Sequence, residues 1–506
     1  MSYEQKVSPS ITKVDLSLLA LASQTSDEAN IDLRRTLATG TTDADTIYRL
    51  GVMAQQQGNL AEAEAAYRRV VELKPDFAGV HNDLGILLAA TLRCVEAEAA
   101  YLRAVEIKPD FAEAYNNLGI LLSEAKRFVE AEAAFRRALE SKPDFAEAIY
   151  GLGSLFAETR SYVEAEAAYR RALALKPGSP EVRYSLGVLL LRSGRYAEAW
   201  EHYESRHTPS LKNGVLVAPN YLPFPEWRGE RLDGKSIVIW AEEGCGDQVQ
   251  FVRYVSLLKR CGASRITLVC HPALKRLLET VEGVDTVTTN PNIVTLHDYW
   301  ALFLSLPLRF GTTVETVPTR VLYVFPLRER TERWRKRLPV DGLRVGLVWK
   351  GSVLYRIDAN RSLPAISALA PLWSVPGVTF VSLQKGQGEN EALQPPVGQP
   401  LMPLGQDIGD FAATAAIVAQ LDLIICVDTA IAHVAGALAR PCWVLLQKYH
   451  TDWRWMEGRT DSAWYPKEMR LFRQTQYDDW SVVIEEVTVA LESWAMTHPR
   501  AQSNRR

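Results

Sequence analysis

Cysteine is scarce and scattered. The chain holds 6 cysteines in 506 residues (Cys94, Cys245, Cys261, Cys270, Cys426, Cys442) and no CxxC pair, so neither a disulfide framework nor a structural zinc site is expected. An excess of one charge is also lacking. The 57 Lys and Arg against 60 Asp and Glu leave a net charge of −3, and without a basic stripe there is no electrostatic footprint for nucleic acid. Apolar runs such as Leu421–Val427 fall far short of the roughly 20 residues that span a bilayer, and the start, MSYEQKVSPS, has no signal-peptide core. The expectation is a cytoplasmic protein with no integral membrane segment. The 8 histidines are isolated, and GxxxxGK[ST], HExxH and GxSxG are all missing, so ATPase, metalloprotease and serine-hydrolase chemistry have no residues to carry them.

What is present is a strict repeat. Gly51, Gly85, Gly119, Gly153 and Gly187 stand 34 residues apart, and Pro75, Pro109, Pro143 and Pro177 keep the same interval. So do Ala63, Ala97, Ala131, Ala165 and Ala199, each followed four residues later by an aromatic: Tyr67, Tyr101, Phe135, Tyr169, Tyr203. In one copy, Tyr115, Leu118 and Leu122 share a face of a first helix, and Ala131, Phe135, Ala138 and Leu139 share a face of a second. Pro143 ends the second, because it lacks an amide hydrogen and disfavours helix in the residue before it. Such a period marks a stacked solenoid. The pattern resembles the tetratricopeptide repeat, in five copies over 44–207, the last without its proline.

A solenoid of helix pairs offers a long inner face on which partners bind; the alternative is a spacer that props up the next domain. Solenoids fused to sugar transferases line that face with an asparagine just before the leucine-glycine pair. Here the position holds Arg49, Asp83, Asn117, Gly151 and Ser185, so no asparagine ladder is expected.

Residues 1–43 read as a partly ordered arm and 208–232, rich in Pro and Gly, as a docked linker. Beyond it the pattern changes. Ser236–Ala241 is a β-rich run ending at Gly244-Cys245-Gly246-Asp247, with a helical pattern over 249–258, which is how an α/β layer begins. Strand 266–270, helix 272–281 and a strand near Asp285 complete a first half, 233–338. A second half, 339–495, runs through strands 345–349, 378–383, 423–427 and 442–446 with helices 410–419 and 429–437; a tail follows at 496–506.

The segments WAEEGCGDQVQFVRY (240–254), RVGLVWKG (344–351), VSLQKG (381–386), DFAATAAIVAQLDLIICVDTAIAHVAGAL (410–438) and DWRWM (452–456) resemble the heptosyltransferase-like glycosyltransferases. With the repeats, the architecture is similar to that of protein O-linked sugar transferases. The resemblance implies an α-solenoid followed by two facing Rossmann-like domains (GT-B type), a nucleotide-sugar donor in the second, and inverting transfer with no cofactor and no metal.

The site residues can be weighed on their chemistry. The Gly244-x-Gly246 turn is too short for the dinucleotide fingerprint, but a glycine pair permits a sharp turn that exposes Asp247 at the end of a strand. Asp247 can act as the base that takes the acceptor's proton, a role the resemblance also gives it; the alternative is a helix cap. Glu242 and Glu243 are the next acids. At Asp428-Thr429-Ala430 a strand gives way to a helix whose free amides can hold a diphosphate, with His433 one turn on; the alternative is a plain cap with His433 packed inside. Lys385, Lys350 and Arg361, in that order, are cations for the leaving diphosphate. Gln384, Trp453 and Arg454 are weaker nucleotide contacts, the tryptophan being better explained by domain packing. Asp410 and Phe411 begin either a cleft-lining helix or an ordinary capped one.

The expected function is transfer of a sugar to an acceptor hydroxyl, Ser/Thr of a partner protein held by the repeats. An envelope-glycan acceptor and a non-catalytic adaptor remain alternatives.

Overall fold

The computed structural model describes residues 43–208, 211, 222–242, 244–319, 322–353 and 358–498. The arm at 1–42, Glu243, most of the linker between 209 and 221, and the end of the tail lie outside the described residues. The chain divides into two compact units between Leu186 and Gly187, inside a helix.

Ten helices form five pairs: α1 (Ala44–Gln56) with α2 (Leu60–Leu73), α3 (Ala78–Ala90) with α4 (Cys94–Ile107), α5 (Ala112–Glu124) with α6 (Phe128–Ser141), α7 (Ala146–Glu158) with α8 (Tyr162–Leu175), and α9 (Pro180–Arg192) with α10 (Tyr196–Tyr203). The periodic glycine and the periodic aromatic are two sides of one contact. A Cβ on Gly85 would stand 2.6 Å from the Tyr101 ring, one on Gly119 2.8 Å from Phe135, and one on Gly153 2.9 Å from Tyr169. Only glycine lets the ring of the second helix lie on the backbone of the first. Each pair turns through one left-handed residue, Gly58 (φ 80°), Leu92 (63°), Lys126 (60°), Arg160 (64°) and Gly194 (78°), so three copies place a side chain where glycine is favoured.

The second unit holds two all-parallel sheets. The first has the order β3-β2-β1-β4, built from β1 (Ser236–Trp240), β2 (Arg265–Val269), β3 (Thr286–Thr288) and β4 (Tyr299–Leu302). The second has the order β10-β9-β8-β5-β6-β7, from β5 (Leu343–Val348), β6 (Val378–Ser382), β7 (Met402–Pro403), β8 (Leu423–Val427), β9 (Cys442–Leu446) and β10 (Met469–Arg473). Read from β5, that order runs three strands one way and three the other, as in a doubly wound sheet, whose ligand crevice lies outside the carboxyl ends of the strands where the order reverses. Here the reversal falls between β5 and β8, which pair from Val345–Leu423 to Val348–Cys426.

The buried faces of β5, β8 and β9 (Val345, Leu347, Ile425, Val427, Leu445) pack on Val483, Ile484, Val487 and Leu491 of the helix Ser481–Thr497. That helix and the strands β4, β7 and β10 were not anticipated. The helix expected over 249–258 starts earlier, at Cys245–Phe251 (α11), and is interrupted by a 3-10 turn at Val252–Tyr254 before resuming at Val255–Arg260. Helix α10 belongs to this unit: Trp200 Nε1 donates to Thr312 O at 2.7 Å, and Trp464 Nε1 to Tyr196 Oη at 3.1 Å.

Candidate functional site

Three loops leave the carboxyl ends of the central strands of the six-stranded sheet. After β5 come Trp349, Lys350 and Gly351; after β6, Gln384 and Lys385; after β8, Asp428 and Thr429. Gln384 ties two of these loops together. Its Oε1 accepts from the amides of Trp349 (2.9 Å) and Lys350 (3.0 Å), and its Nε2 donates to the carbonyls of Lys350 (3.0 Å) and Gln387 (2.7 Å). With the amide fully engaged, Gln384 shapes the crevice instead of reaching into it.

The expected cations differ in their freedom. Lys350 Nζ lies 2.7 Å from Glu391 Oε1, and Arg361 Nε donates to Asp358 Oδ1 at 2.9 Å. Lys385 is exposed and donates a 3.2 Å hydrogen bond to the Gly405 carbonyl. Asp428 follows β8 directly, and Thr429 precedes the helix Ala430–Ala437 (α12) in extended conformation. Burial, with Asp452 adding to it, raises the Asp428 carboxyl to about 6, against the opposing pull of Arg361, the Trp455 indole and Arg454.

The glycine turn of the first half meets the start of α12. A Cβ on Gly246 would stand 2.9 Å from His433 Cδ2 and 3.4 Å from Ala430 Cα, so the glycine is needed for close approach. The pair was expected to serve the backbone conformation of a sharp turn. Gly244 instead has φ −64° and ψ 170°, and neither glycine is among those with positive φ, so space is the reason and not backbone freedom.

His433 is buried in this contact. Its Nδ1 lies 3.2 Å from Tyr465 Oη and its ring stacks on Trp455 at 5.5 Å and 16°. Burial, reinforced by Arg454 and Arg253, holds the imidazole well below its usual range, so it is neutral at pH 7 and contributes no cation to an anion site.

Asp247 lies in the first turn of α11 and forms an ion pair with Arg454. Burial pushes its carboxyl above the ordinary range, while Arg454 opposes this. Arg454 is held in turn by Asp452, which accepts from its Nη1 at 2.8 Å and from its amide at 2.9 Å. The guanidinium lies 4.6 Å from the Trp453 ring centroid and 5.4 Å from that of Phe251. Trp453 itself, 4% exposed, sits within 5.6–6.1 Å of Trp200, Tyr203, Tyr196 and Trp464. Packing fills its faces.

Other acids are spent on structure. Glu242 accepts from Arg206 Nε at 3.0 Å and from the Leu304 amide at 2.9 Å. Asp410 caps the helix Phe411–Val418 by accepting from the Ala413 amide at 2.8 Å. Among the described residues no cluster of His, Cys, Asp and Glu suits a metal ion, and no helix is long and apolar enough to cross a membrane. Sequence reasoning passed over Tyr465, which carries no motif and matters only through what it touches; Asp452 and Trp455 stood within the 452–456 segment without a separate role.

In the repeats, the position before the leucine-glycine pair bonds between helices. Tyr48 donates to Asp83 (2.5 Å), Asn117 to Asn82 (2.9 Å), and Tyr150 Oη lies 3.0 Å from Ser185 Oγ. At Gly151 this row breaks, and Asn116 Oδ1 is buried without a partner.

A tetratricopeptide-repeat family model matches residues 48–110, 82–144, 116–180 and 150–209, so 48–209 are tetratricopeptide repeats, a fold that presents surfaces to partner proteins. Protein FlbA of Caulobacter vibrioides is 29% identical over 320 residues, covering 58% of this chain and 52% of FlbA; the chain thus spans about half the length of this curated relative. Among solved structures, Pseudomonas aeruginosa pilF is 24% identical over 32% of this chain and 74% of its own, with a TM-score of 0.31. A thermophilic tetratricopeptide protein of Thermus thermophilus is 22% identical over 35% and 97%, with a TM-score of 0.29. MamA is 22% identical over 35% and 98%, also at 0.29.

Proposed function

We propose that the chain is a glycosyltransferase of the two-domain GT-B type, moving a sugar from a nucleotide-sugar donor to an acceptor hydroxyl presented by the repeats. One observation supports this most: the turn after β1 that carries Asp247 packs through Gly246 on Ala430 and His433 of the helix that follows β8, beside the point where the strand order of the other sheet reverses. A base from one half and an anion site from the other therefore face the same place.

In this reading the free amides at the start of α12 hold the diphosphate, with Lys385, Lys350 and Arg361 nearby as cations. The acceptor oxygen attacks the anomeric carbon and gives its proton to Asp247. The bond from that carbon to the phosphate oxygen breaks, and its electron pair stays on the diphosphate, where a fixed cation stabilises the developing charge. The chemistry is balanced with these groups alone. His433 and Trp453 take structural parts, holding the turn against α12 and closing the aromatic cluster. The acceptor is a Ser or Thr hydroxyl of a protein partner; a glycan acceptor is the second reading, and deletion of residues 44–186 with donor hydrolysis retained separates the two by whether transfer to protein is lost.

Asp247→Asn is the direct test. It should lower transfer by about 10²–10⁴-fold, the usual worth of a positioned base, with nucleotide binding retained. Unchanged turnover removes Asp247 from the mechanism.

A further inference from the structure

The ion pair between Asp247 and Arg454 raises a problem for the base. A carboxylate held by a guanidinium is a poor proton acceptor, yet Arg454 is the group nearest Asp247 and is itself enclosed, with 7% of its side chain exposed. Its hydrogen bonds are unevenly used: Nη2 faces Asp247, Nη1 faces Asp452, and Nε is buried with no partner. Arg454 also lies within electrostatic reach of Asp428, at the strand end where the proposed diphosphate sits. A buried guanidinium with one donor unspent is an incomplete arrangement.

We propose that Arg454 is a latch shared between Asp247 and the donor: it holds the carboxylate until a nucleoside diphosphate group arrives, and the diphosphate then takes the guanidinium and frees Asp247 for the acceptor hydroxyl. This rests on the preceding reading that a nucleotide sugar occupies the strand ends at β5 and β8. A diphosphate carries more charge than one carboxylate and matches the planar fork of arginine, so it competes well for the same donors. Asp452 keeps Arg454 in place during the exchange. Once released, Asp247 sits in a half-buried position that favours proton uptake, beside Glu242 and Asp452, both of which push in the same direction. The order of events follows. The donor must bind before the acceptor can be deprotonated, and Arg454 is a positioning residue, acting on the acceptor only through Asp247.

The competing explanation is a permanent structural tie, in which Arg454 never leaves Asp247. The two differ in a binding cycle that needs no acceptor. UDP, GDP, ADP and CDP are titrated calorimetrically into the full chain, and whichever binds is carried through Asp247→Asn, Arg454→Gln and the double variant. With the latch, removing the competing carboxylate tightens binding by roughly tenfold, a typical coupling for groups in contact. Arg454→Gln weakens binding by a similar factor, and in the Arg454→Gln background Asp247→Asn gives no gain. A gain that persists in that background is simple relief of charge repulsion and overturns the latch, as does an absence of gain in the parent. Should Arg454→Gln fail to fold, Arg454→Lys replaces it; a single ammonium cannot serve as the same fork, so the gain should shrink toward one. If none of the four nucleotides binds the parent, the donor reading itself fails, which is a different outcome from loss of coupling.

Discussion

Gly119→Ala should destabilise the repeats, against the ordinary preference of helices. In the interior of an exposed helix the change is worth about 1 kcal/mol in favour of alanine. At Gly119 the new methyl would stand 2.8, 2.9 and 3.0 Å from three atoms of the Phe135 ring. The ring is 1% exposed, and the same three ring atoms also lie against Gly151, where a methyl would collide with Phe135 Cε1, so the ring is confined by two backbones. Overpacking of this kind costs about 1–3 kcal/mol. The net expectation is a loss of about 1 kcal/mol, near 2–4 °C in the midpoint of a unit of this size. Thermal and urea unfolding of the full chain, followed by helical signal, provides the measurement. Phe135→Leu should cost stability alone yet recover most of the Gly119→Ala loss when the two are combined. Gly178→Ala, where a methyl meets nothing within 4 Å, should be neutral or gain about 0.4–1 kcal/mol. A Gly119→Ala variant more stable than the parent, or no coupling to Phe135→Leu, refutes the idea that the periodic glycine exists to admit the ring.

Two further outcomes follow from single residues. Lys126→Gly and Arg160→Gly relieve left-handed backbones at φ 60° and 64°, and each should raise the thermal midpoint by the equivalent of roughly 0.5–1 kcal/mol, since the 1–2 kcal/mol strain of a side chain there exceeds what glycine adds to the freedom of the unfolded chain. The raised Asp428 carboxyl has a definite sign: with a folded value of about 6 against an ordinary 3.8, the folded state binds the proton more tightly. Its contribution to stability is therefore full below pH 3.8 and is lost as pH rises through 6. Asp428→Asn should accordingly match the parent near pH 4 and exceed it above pH 7, by on the order of 1 kcal/mol or more, in urea titrations across that range; a difference that does not change with pH counts against the assignment.

The solenoid was legible because its constraint is local and recurs. Glycine and aromatic sit 16 residues apart in every copy, as in Gly85 and Tyr101, so four copies of one glycine-to-ring contact are written into the sequence, and in the fifth Gly187 lies against the backbone of Tyr203 instead. Strands β8 and β9 were equally plain, since both are short buried runs bounded by turns. The elements that were missed lack such marks. β4 (YWAL) begins with two half-exposed aromatics, β7 is two residues long, and β10 (MRLFR) breaks the apolar/polar alternation with adjacent buried Leu471 and Phe472 between two arginines. The terminal helix carries exposed Val482, Val489 and Met496 beside its buried face, which blurs the apolar stripe that would announce it.

The site divides along the same line, and the division explains which residue roles shifted. Asp247, Asp428 and Thr429 are set by their own strand and helix ends, and a local reading places them at those ends. His433, Trp453, Gln384 and Arg454 are set by partners far away in the chain: the Asp247–Arg454 pair spans 207 residues, and Gln384 grips Trp349 and Lys350 from 34 or 35 residues on. A histidine at the right spacing for phosphate and a tryptophan beside an arginine look the same in sequence whether they face a ligand or a neighbouring ring. What decides is the volume around them, and here Gly246, Trp455 and Tyr465 fill it around His433. Arg454 changed most in meaning. From its neighbours it reads as a stacking contact for a nucleotide, whereas it is enclosed between two carboxylates, Asp247 and Asp452.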